Sequence, residues 1–291
     1  LKNNQLATKI QEELKNRRYE FFACLRTLNG HASKVNSICL TLDGSTLYSG
    51  AEDSSINAWD WRIGKFKRIC NPQPLDYRFP ATFLQSSPDG EEIVIAYRGQ
   101  AIETRTIIDA RRIILEDSGL HHSFAITQDG KTIFTDSYSG TRRIIACNFR
   151  SGKIKYHLPE NSHPVFAIVT SLDGKTLFNG NANFKINIWD IQTATITRTL
   201  TGHSFLVTAL CLSRDGNTLF SGSGDYTIKI WDWRQGKLKS TLTGHSYGVN
   251  SILLSPDGLT LFSASNDKTI KICNWQTGEL INTLEGHLGN V

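Results

Sequence analysis

The 291-residue chain lacks the features that would place it in a membrane or mark a small metal site. It contains no apolar run of about 18 residues, which excludes an ordinary membrane-spanning helix, and no signal peptide is visible at its start. No two cysteines have the C-x-x-C spacing of zinc and redox motifs. Methionine is absent, so Leu1 is not an initiator residue and we expect the chain to be an excerpt from a longer protein.

The cysteines indicate free thiols rather than disulfides. Several stand among apolar neighbours, where a thiol behaves as a small buried hydrophobic side chain. Free thiols are typical of a reducing compartment, so we expect a cytoplasmic protein. The six cysteines are Cys24, Cys39, Cys70, Cys147, Cys211 and Cys273.

Charge and short motifs exclude other classes. Lysine and arginine number 32 against 27 acidic residues, a net charge of +5 that is scattered along the chain. A nucleic-acid-binding surface usually shows a dense basic stripe, so neither a nucleic acid nor a membrane is expected as a partner. No P-loop, G-x-G-x-x-G or H-E-x-x-H motif occurs.

What the sequence does contain is a repeat. Residues 202–236 recur without a gap when displaced by 42 positions, and a backward displacement of 172 positions matches them again. A recurring unit of this length is the signature of a repeat architecture. The matched pairs include His203 with His245 and His31, Asp215 with Asp257 and Asp43, Asp225 with Asp267, and Trp231 with Trp59.

Each repeat predicts one small sheet. Residues 206–212, 218–221, 227–231 and 237–242 are short apolar runs, separated by turn residues such as Asp215-Gly216. Four β-rich runs about ten residues apart predict a four-stranded antiparallel sheet. One such sheet cannot bury both faces, but six of them stacked radially can.

Gly-His near the start of the repeat, Asp in the second hairpin and Trp-Asp at the end of the third strand resemble the WD-repeat β-propeller family. The resemblance covers about residues 19–291 and implies an all-β propeller of four-stranded blades. The near-duplicate repeats 202–242 and 244–284 resemble bacterial, especially cyanobacterial, arrays. The expected repeats are about 19–60, 61–106, 107–148, 149–190, 191–232 and 233–274, with the start of a further repeat at 275–291.

The ends of the chain set the expected number of blades. Leu6, Ile10 and Leu14 are spaced four apart, which predicts a short linker helix over residues 1–18. Residues 19–28 align with a fourth strand and precede the first Gly-His. If they complete the last blade, the parent protein has seven blades. If each of the six repeats owns all its strands, the ring has six.

Serine, histidine, aspartate and tryptophan recur at fixed repeat positions. The family resemblance implies a buried hydrogen-bond chain from indole to hydroxyl to imidazole to carboxylate. Because an enzyme does not need a nucleophile in every repeat, we interpret the set as structural and not as a catalytic triad. Cys273 replaces the tryptophan of the sixth repeat, so that network should be incomplete. The predicted members are His31, Ser49, Asp53, Trp59, His203, Ser221, Asp225, Trp231, His245, Ser263 and Asp267.

The innermost strands would line a central channel and carry no Asp, Glu, His or Lys. A metal cage needs such ligands and a glycosidase needs two carboxylates. We therefore expect no catalytic residue, no metal and no cofactor. These strands are residues 35–41, 81–87, 123–127, 165–171, 207–213 and 249–255.

A partner is expected on the face that carries the loops after Gly-His and the turns between second and third strands. Aromatic and arginine side chains dominate binding hot spots, although residues such as Phe184 and Tyr247 are also compatible with a core position. The predicted partner-binding residues are Tyr77, Arg78, Tyr97, Arg98, Tyr138, Phe184, Phe205 and Tyr247.

These observations favour a monomeric, non-catalytic scaffold that binds a protein or peptide. The alternative is a sensor or regulatory domain of a larger signalling enzyme, a kinase or nucleotide triphosphatase, whose catalytic part lies outside this chain. A propeller enzyme is the third possibility, and the absence of ligands in the channel argues against it.

Overall fold

In the computed structural model the chain divides into two compact units, and each is described by itself. One unit is Arg26–Leu210, and the described part of the other is Cys211–Val291. The helix predicted for residues 1–18 and most of the strand predicted at 19–28 lie outside the described residues. The structure describes residues 27–41, 45–60, 62–69, 81–88, 90, 92–97, 102–106, 112–114, 123–137, 143–159, 163–255, 257–287, 289 and 291.

The described secondary structure is all β, in six four-stranded sheets whose strands follow chain order. Sheet 1 contains β1 (Val35–Leu40), β2 (Leu47–Ala51), β3 (Ile56–Asp60) and β4 (Lys65–Ile69); sheet 2 contains β5 (Ala81–Ser86), β6 (Glu92–Tyr97), β7 (Ile102–Thr106) and β8 (Arg112–Ile114); sheet 3 contains β9 (Phe124–Ile126), β10 (Thr132–Ser137), β11 (Arg143–Asn148) and β12 (Ile154–His157); sheet 4 contains β13 (Val165–Thr170), β14 (Thr176–Asn181), β15 (Ile186–Asp190) and β16 (Thr195–Leu200); sheet 5 contains β17 (Val207–Leu212), β18 (Thr218–Ser223), β19 (Ile228–Asp232) and β20 (Lys237–Leu242); sheet 6 contains β21 (Val249–Leu254), β22 (Thr260–Ser265), β23 (Ile270–Asn274) and β24 (Glu279–Leu284).

Sheet 4 illustrates how burial is distributed. The antiparallel register places Leu177 of β14 opposite Trp189 of β15, which in turn lies opposite Ile196 of β16. β14 and the apolar positions of β15 are buried, whereas β16 exposes five of its six residues. The first three strands therefore form the core of the sheet, and a polar fourth strand forms its outer edge, which discourages edge-to-edge association.

The Asp-Gly turns between first and second strands share one hydrogen-bond pattern. In sheet 4 the Ser171 hydroxyl donates to Asp173 Oδ1 at 2.5 Å and accepts from the Thr176 amide at 2.9 Å. Gly174 has a φ of +67°, which glycine adopts without a steric penalty. Thr127 and Asp129 form the same pair in sheet 3, and Ser213 and Asp215 form it in sheet 5.

Within Arg26–Leu210, neighbouring sheets share apolar cores and are joined by hydrogen bonds between their first strands. Sheets 2 and 3 pack Val94 and Ala96 against Phe124. Two serines at equivalent positions supply the hydrogen bonds: Ser37 accepts from the amide of Leu84, and Ser123 accepts from the amide of Ile168, each at 2.9 Å.

In the second unit a tryptophan that directly follows the third strand fixes the Asp-Gly turn. The indole N–H of Trp275 donates to the carbonyl oxygen of Gly258 at 2.8 Å. Its ring also packs edge-on against Phe220 with centroids 5.1 Å apart, which joins sheet 6 to the core of sheet 5.

The described cysteines Cys39, Cys147, Cys211 and Cys273 are free thiols, as predicted, and Cys24 and Cys70 lie outside the described residues. Burial raises the pKa of the Cys39 thiol to about 12, so it stays protonated at neutral pH and unreactive. A search of the described residues for a helix able to span a membrane finds none.

Candidate functional site

The predicted hydrogen-bond residues of sheet 1 come together around the buried ring of Trp59. Its indole N–H donates to Ser49 Oγ at 2.8 Å, and the same oxygen lies 2.6 Å from Nε2 of His31. Nδ1 of His31 lies 2.8 Å from Ser55 Oγ and 3.4 Å from Asp53 Oδ2. The Ser55 hydroxyl donates to Asp53 Oδ1 at 2.6 Å, so Ser55 mediates the contact between imidazole and carboxylate.

Sheet 6 has a shorter version of this chain. His245 contacts Ser263 Oγ through Nε2 at 2.8 Å and Asp267 Oδ2 through Nδ1 at 2.6 Å. Cys273 occupies the position of the tryptophan, so Ser263 has no indole donor here. The side chains of His245 and Asp267 are 3% and 6% exposed.

Sheet 5 contributes the indole end of the chain in the second unit, where Trp231 donates to Ser221 Oγ at 2.8 Å. Asp225 Oδ1 accepts from the hydroxyl of Thr227 at 2.6 Å, which fixes the turn between β18 and β19. The remaining predicted member, His203, lies in the first unit and is buried.

Sheet 4 uses a pair of asparagines that the sequence analysis did not identify. Trp189 donates its indole N–H to Asn179 Oδ1 at 2.6 Å, and Asn179 Nδ2 donates to Asn181 Oδ1 at 2.5 Å. Asn179 stands 42 positions before Ser221, so the repeat spacing was a signal that could have found it.

The carboxylates of these chains are stabilised in their charged form. Burial raises the pKa of Asp53, but hydrogen bonds from Ser55 and the Ala32 amide outweigh it and lower the pKa to about 2. For Asp267 the largest effect, burial, is likewise outweighed by hydrogen bonds from Thr269, His245 and Ser246, so its pKa lies well below the usual range.

Serine, histidine and aspartate in this order are the elements of a catalytic relay, so access to the serine decides the interpretation. Ser263 is only 2% exposed and Ser49 5%, and Ser49 also accepts a hydrogen bond from Trp59. A nucleophile must reach a substrate carbonyl, which a buried hydroxyl cannot do. Among the described residues, no group of three or more His, Cys, Asp or Glu side chains is placed to hold a metal ion.

In each of two exposed aromatic pairs, one ring lies in the turn between a second and a third strand and the other lies in the loop before the next sheet. Phe184 stacks on Phe205 with centroids 5.7 Å apart and planes inclined by 19°. In the second unit Tyr226 and Tyr247 lie 6.0 Å apart. Exposure is 36% for Phe184, 49% for Phe205, 46% for Tyr226 and 58% for Tyr247.

Of the predicted partner-binding residues, Phe184, Phe205 and Tyr247 are therefore exposed. Tyr226 was missed, although it follows Asp225 as Phe184 follows Asn183. Tyr97 ends strand β6, and only its backbone is described. Tyr77, Arg78, Arg98 and Tyr138 lie outside the described residues.

A family model described as "WD domain, G-beta repeat" matches residues 22–60, 194–232 and 236–274. The second and third matches each run from the outer strand of one sheet through three inner strands of the next. The chain thus contains WD repeats in three places, which supports the WD-repeat family. Its described four-stranded antiparallel sheets are those of all-β propeller blades, as the resemblance implied.

Curated WD-repeat relatives match about three fifths of this chain. It is 24% identical over 193 residues to WD repeat-containing protein 82 of Drosophila melanogaster, which covers 61% of this chain and 57% of that protein. It is 28% identical over 170 residues to apoptotic protease-activating factor 1 of Rattus norvegicus, and the alignment covers 56% of this chain and 12% of that protein. Cilia- and flagella-associated protein 57 of Mus musculus is 23% identical over 167 residues, covering 57% and 13%. The chain thus spans between about an eighth and three fifths of these relatives.

Proposed function

We propose that the chain is a non-catalytic WD-repeat scaffold that binds a protein or peptide through exposed loop aromatics, Phe184 with Phe205 in Arg26–Leu210 and Tyr226 with Tyr247 in Cys211–Val291. The observation that carries the proposal is the exposure of two aromatic pairs at equivalent turns. Large aromatic rings that remain half exposed bury much area on binding at a small cost in side-chain entropy.

The turn that carries Phe184 and Tyr226 has the same backbone conformation in four repeats. Ser54, Phe184, Tyr226 and Lys268 have φ values of +65°, +69°, +72° and +70°. Because serine and lysine adopt this conformation as well, the turn does not require an aromatic side chain. The two aromatic rings add exposed apolar area that a partner can bury.

Side-chain hydrogen bonds also fix the conformation of these turns. Asp225 Oδ1 accepts both the amide and the hydroxyl of Thr227, at 3.0 and 2.6 Å. Asn183 Oδ1 accepts the amide of Lys185 at 3.3 Å. Aromatic rings on preordered turns lose little freedom when a partner binds, which favours affinity.

The test uses peptides selected from a random display library on the purified chain. We expect Phe205→Ala to weaken peptides that bind the first unit, and Tyr247→Ala to weaken those that bind the second, by about tenfold, the loss typical of a hot-spot residue. Ile196→Ala and Leu238→Ala are matched controls, because each removes an exposed apolar side chain, 45% exposed, from an outer strand. Affinity is measured by fluorescence anisotropy. An equal loss of affinity in all four variants, or no loss in any of them, would contradict binding through the aromatic loops.

The alternative, a sensor or regulatory part of a larger signalling enzyme, stays a prediction. Its support is that the rat and mouse relatives align with this chain over only 12% and 13% of their length. The cytoplasmic location and the monomeric state stay predictions as well.

A further inference from the structure

Within Arg26–Leu210 a basic cleft lies at the opposite end of the strands from the aromatic pair Phe184 and Phe205. It has a volume of about 510 Å³ and is lined by residues 128–131, Asn148, Arg150 and Lys155 of sheet 3 and by Pro88. The turn between β9 and β10 and the turn between β11 and β12 meet here, because the amide of Phe149 donates to the carbonyl oxygen of Lys131 at 3.1 Å. None of these residues belongs to the hydrogen-bond networks or to the proposed partner face.

Among the described residues that line this cleft, three are cationic and one is a carboxylate. Lys131, Arg150 and Lys155 carry the positive charges and Asp129 the negative one. The carboxylate of Asp129 is engaged by the Thr127 hydroxyl at 2.6 Å and by the Lys131 amide at 3.0 Å. The hydrogen bond from Thr127 lowers the pKa of Asp129, and burial opposes this effect. The Lys131 amide and the charges of Lys131 and Lys155 lower the pKa further, so Asp129 stays ionised at neutral pH.

The ammonium group of Lys155 is held in place. Its Nζ donates to the Lys131 carbonyl oxygen at 3.1 Å and to Thr132 Oγ1 at 2.6 Å. An ammonium group has three N–H donors, so one remains for a ligand. A cation fixed by its own protein loses less side-chain entropy on binding an anion than a free lysine does.

Sheet 3 alone among the compared repeats carries a basic residue at all three positions. The positions of Lys131, Arg150 and Lys155 hold Asn217, Arg234 and Lys239 in sheet 5 and Ser45, Arg62 and Lys67 in sheet 1. They hold Lys175, Gln192 and Thr197 in sheet 4 and Leu259, Gln276 and Ile281 in sheet 6.

We propose that the cleft binds the phosphate dianion of a phosphate monoester, held by Lys131, Arg150 and Lys155. A phosphate monoester carries about −1.5 to −2 charges at neutral pH, which complements three cations and one carboxylate. Arginine and lysine are the side chains that bind phosphate oxygens, arginine often through two parallel hydrogen bonds. A volume of this size is in the range of small-molecule sites and exceeds a bare phosphate, so the group that carries the phosphate also has room.

The ester can be a free metabolite or a phosphorylated side chain of a peptide, and the test separates the two. Inorganic phosphate, free phosphoserine and a short phosphoserine peptide are titrated into the purified chain, and binding is followed by NMR chemical shifts. We expect saturable binding with a Kd of about 1 mM or tighter, and weakening of at least about fivefold in Lys131→Ala and in Arg150→Gln. Tighter binding of the peptide than of phosphoserine identifies a peptide source, and equal binding identifies a small molecule.

Matched variants distinguish a built site from general basicity. Lys175→Ala and Arg234→Gln remove one positive charge each from the equivalent turns of sheets 4 and 5, and we expect them to leave phosphate binding unchanged. The proposal is overturned if no probe saturates, if chloride at equal ionic strength displaces phosphate completely, or if the control variants weaken binding as much as Arg150→Gln. Because this cleft shares no residue with the aromatic face, its failure leaves the proposed scaffold function standing.

Discussion

The buried tryptophan of a WD repeat needs an acceptor for its indole N–H, and this chain supplies that acceptor in two ways. Ser49 and Ser221 use a hydroxyl oxygen, and Asn179 uses an amide oxygen. An unpaired buried donor costs about 1–3 kcal/mol, so the position tolerates a change of residue type only if an acceptor remains. This explains how sheet 4 departs from the repeat without losing its tryptophan contact.

At the same scale, the carboxylate of Asp267 makes stability depend on pH. Because hydrogen bonds lower its pKa in the folded protein, the unfolded chain takes up a proton first as the pH falls. Its contribution is therefore complete above the unfolded pKa of about 4 and is lost progressively below it. Urea unfolding of the wild type and of Asp267→Asn should show a stability difference that is constant at neutral pH and shrinks between about pH 5 and pH 3. A difference that does not change over this range would contradict the assignment.

The residue positions of the networks follow from repeat spacing, but their hydrogen-bond order does not. Displacing the sequence by a fixed number of residues aligns His31 with His245 and Asp53 with Asp267. It does not show that Ser55 stands between His31 and Asp53, because that depends on a side-chain conformation. The stabilising role of the networks remains a prediction.

At the scale of the strand, Gly180 of β14 lies where the backbone of sheet 4 closely approaches Val207 of β17. A Cβ atom there would lie 2.6 Å from Val207 Cγ1 and 2.9 Å from the Val207 carbonyl oxygen. We expect Gly180→Ala to lower the free energy of unfolding by about 1–3 kcal/mol, the usual cost of overpacking.

A double-mutant cycle with Val207→Ala checks the cause. The second change removes the closest contact, with Val207 Cγ1, but leaves Cβ and the carbonyl oxygen in place, each 2.9 Å from the added atom. The combined loss should therefore be smaller than the sum of the single losses by more than about 0.5 kcal/mol. The losses are measured by denaturant unfolding. If the loss in the double variant equals the sum of the two single losses, the close approach to Val207 is not what makes glycine necessary at position 180.

Strand positions were predictable where turn residues flank them. In sheet 5 the predicted runs agree with the four strands to within two residues, because Asp215-Gly216 and Gln235-Gly236 mark the turns on the sequence. The contact of Trp275 with Phe220 was not predictable, since it joins residues of different repeats. Only the packing of one sheet on the next brings such residues together.

At the scale of the whole molecule, antiparallel strands separate the two proposed surfaces. In a four-stranded sheet the first and third turns lie at one end and the second turn lies at the other. Within Arg26–Leu210 the aromatic pair Phe184 and Phe205 belongs to the end with the second turn, and the cleft around Arg150 belongs to the opposite end. The amide of Ile168 donates to Ser123 Oγ at 2.9 Å and so joins the sheet of the cleft to the sheet of Phe184.

This separation predicts that the two binding reactions are independent. Phe205→Ala should weaken the selected peptide and leave the Kd for phosphoserine unchanged, while Arg150→Gln should do the reverse. In the double variant each loss should equal that of the single variant to within about 0.3–0.5 kcal/mol, as for distant sites without shared partners. Anisotropy for the peptide and chemical shifts for phosphoserine measure the two reactions on one sample. Reciprocal coupling, in which saturating phosphoserine changes peptide affinity more than about fivefold, would show that the two ends of the strands communicate and that the sheets are not a rigid support.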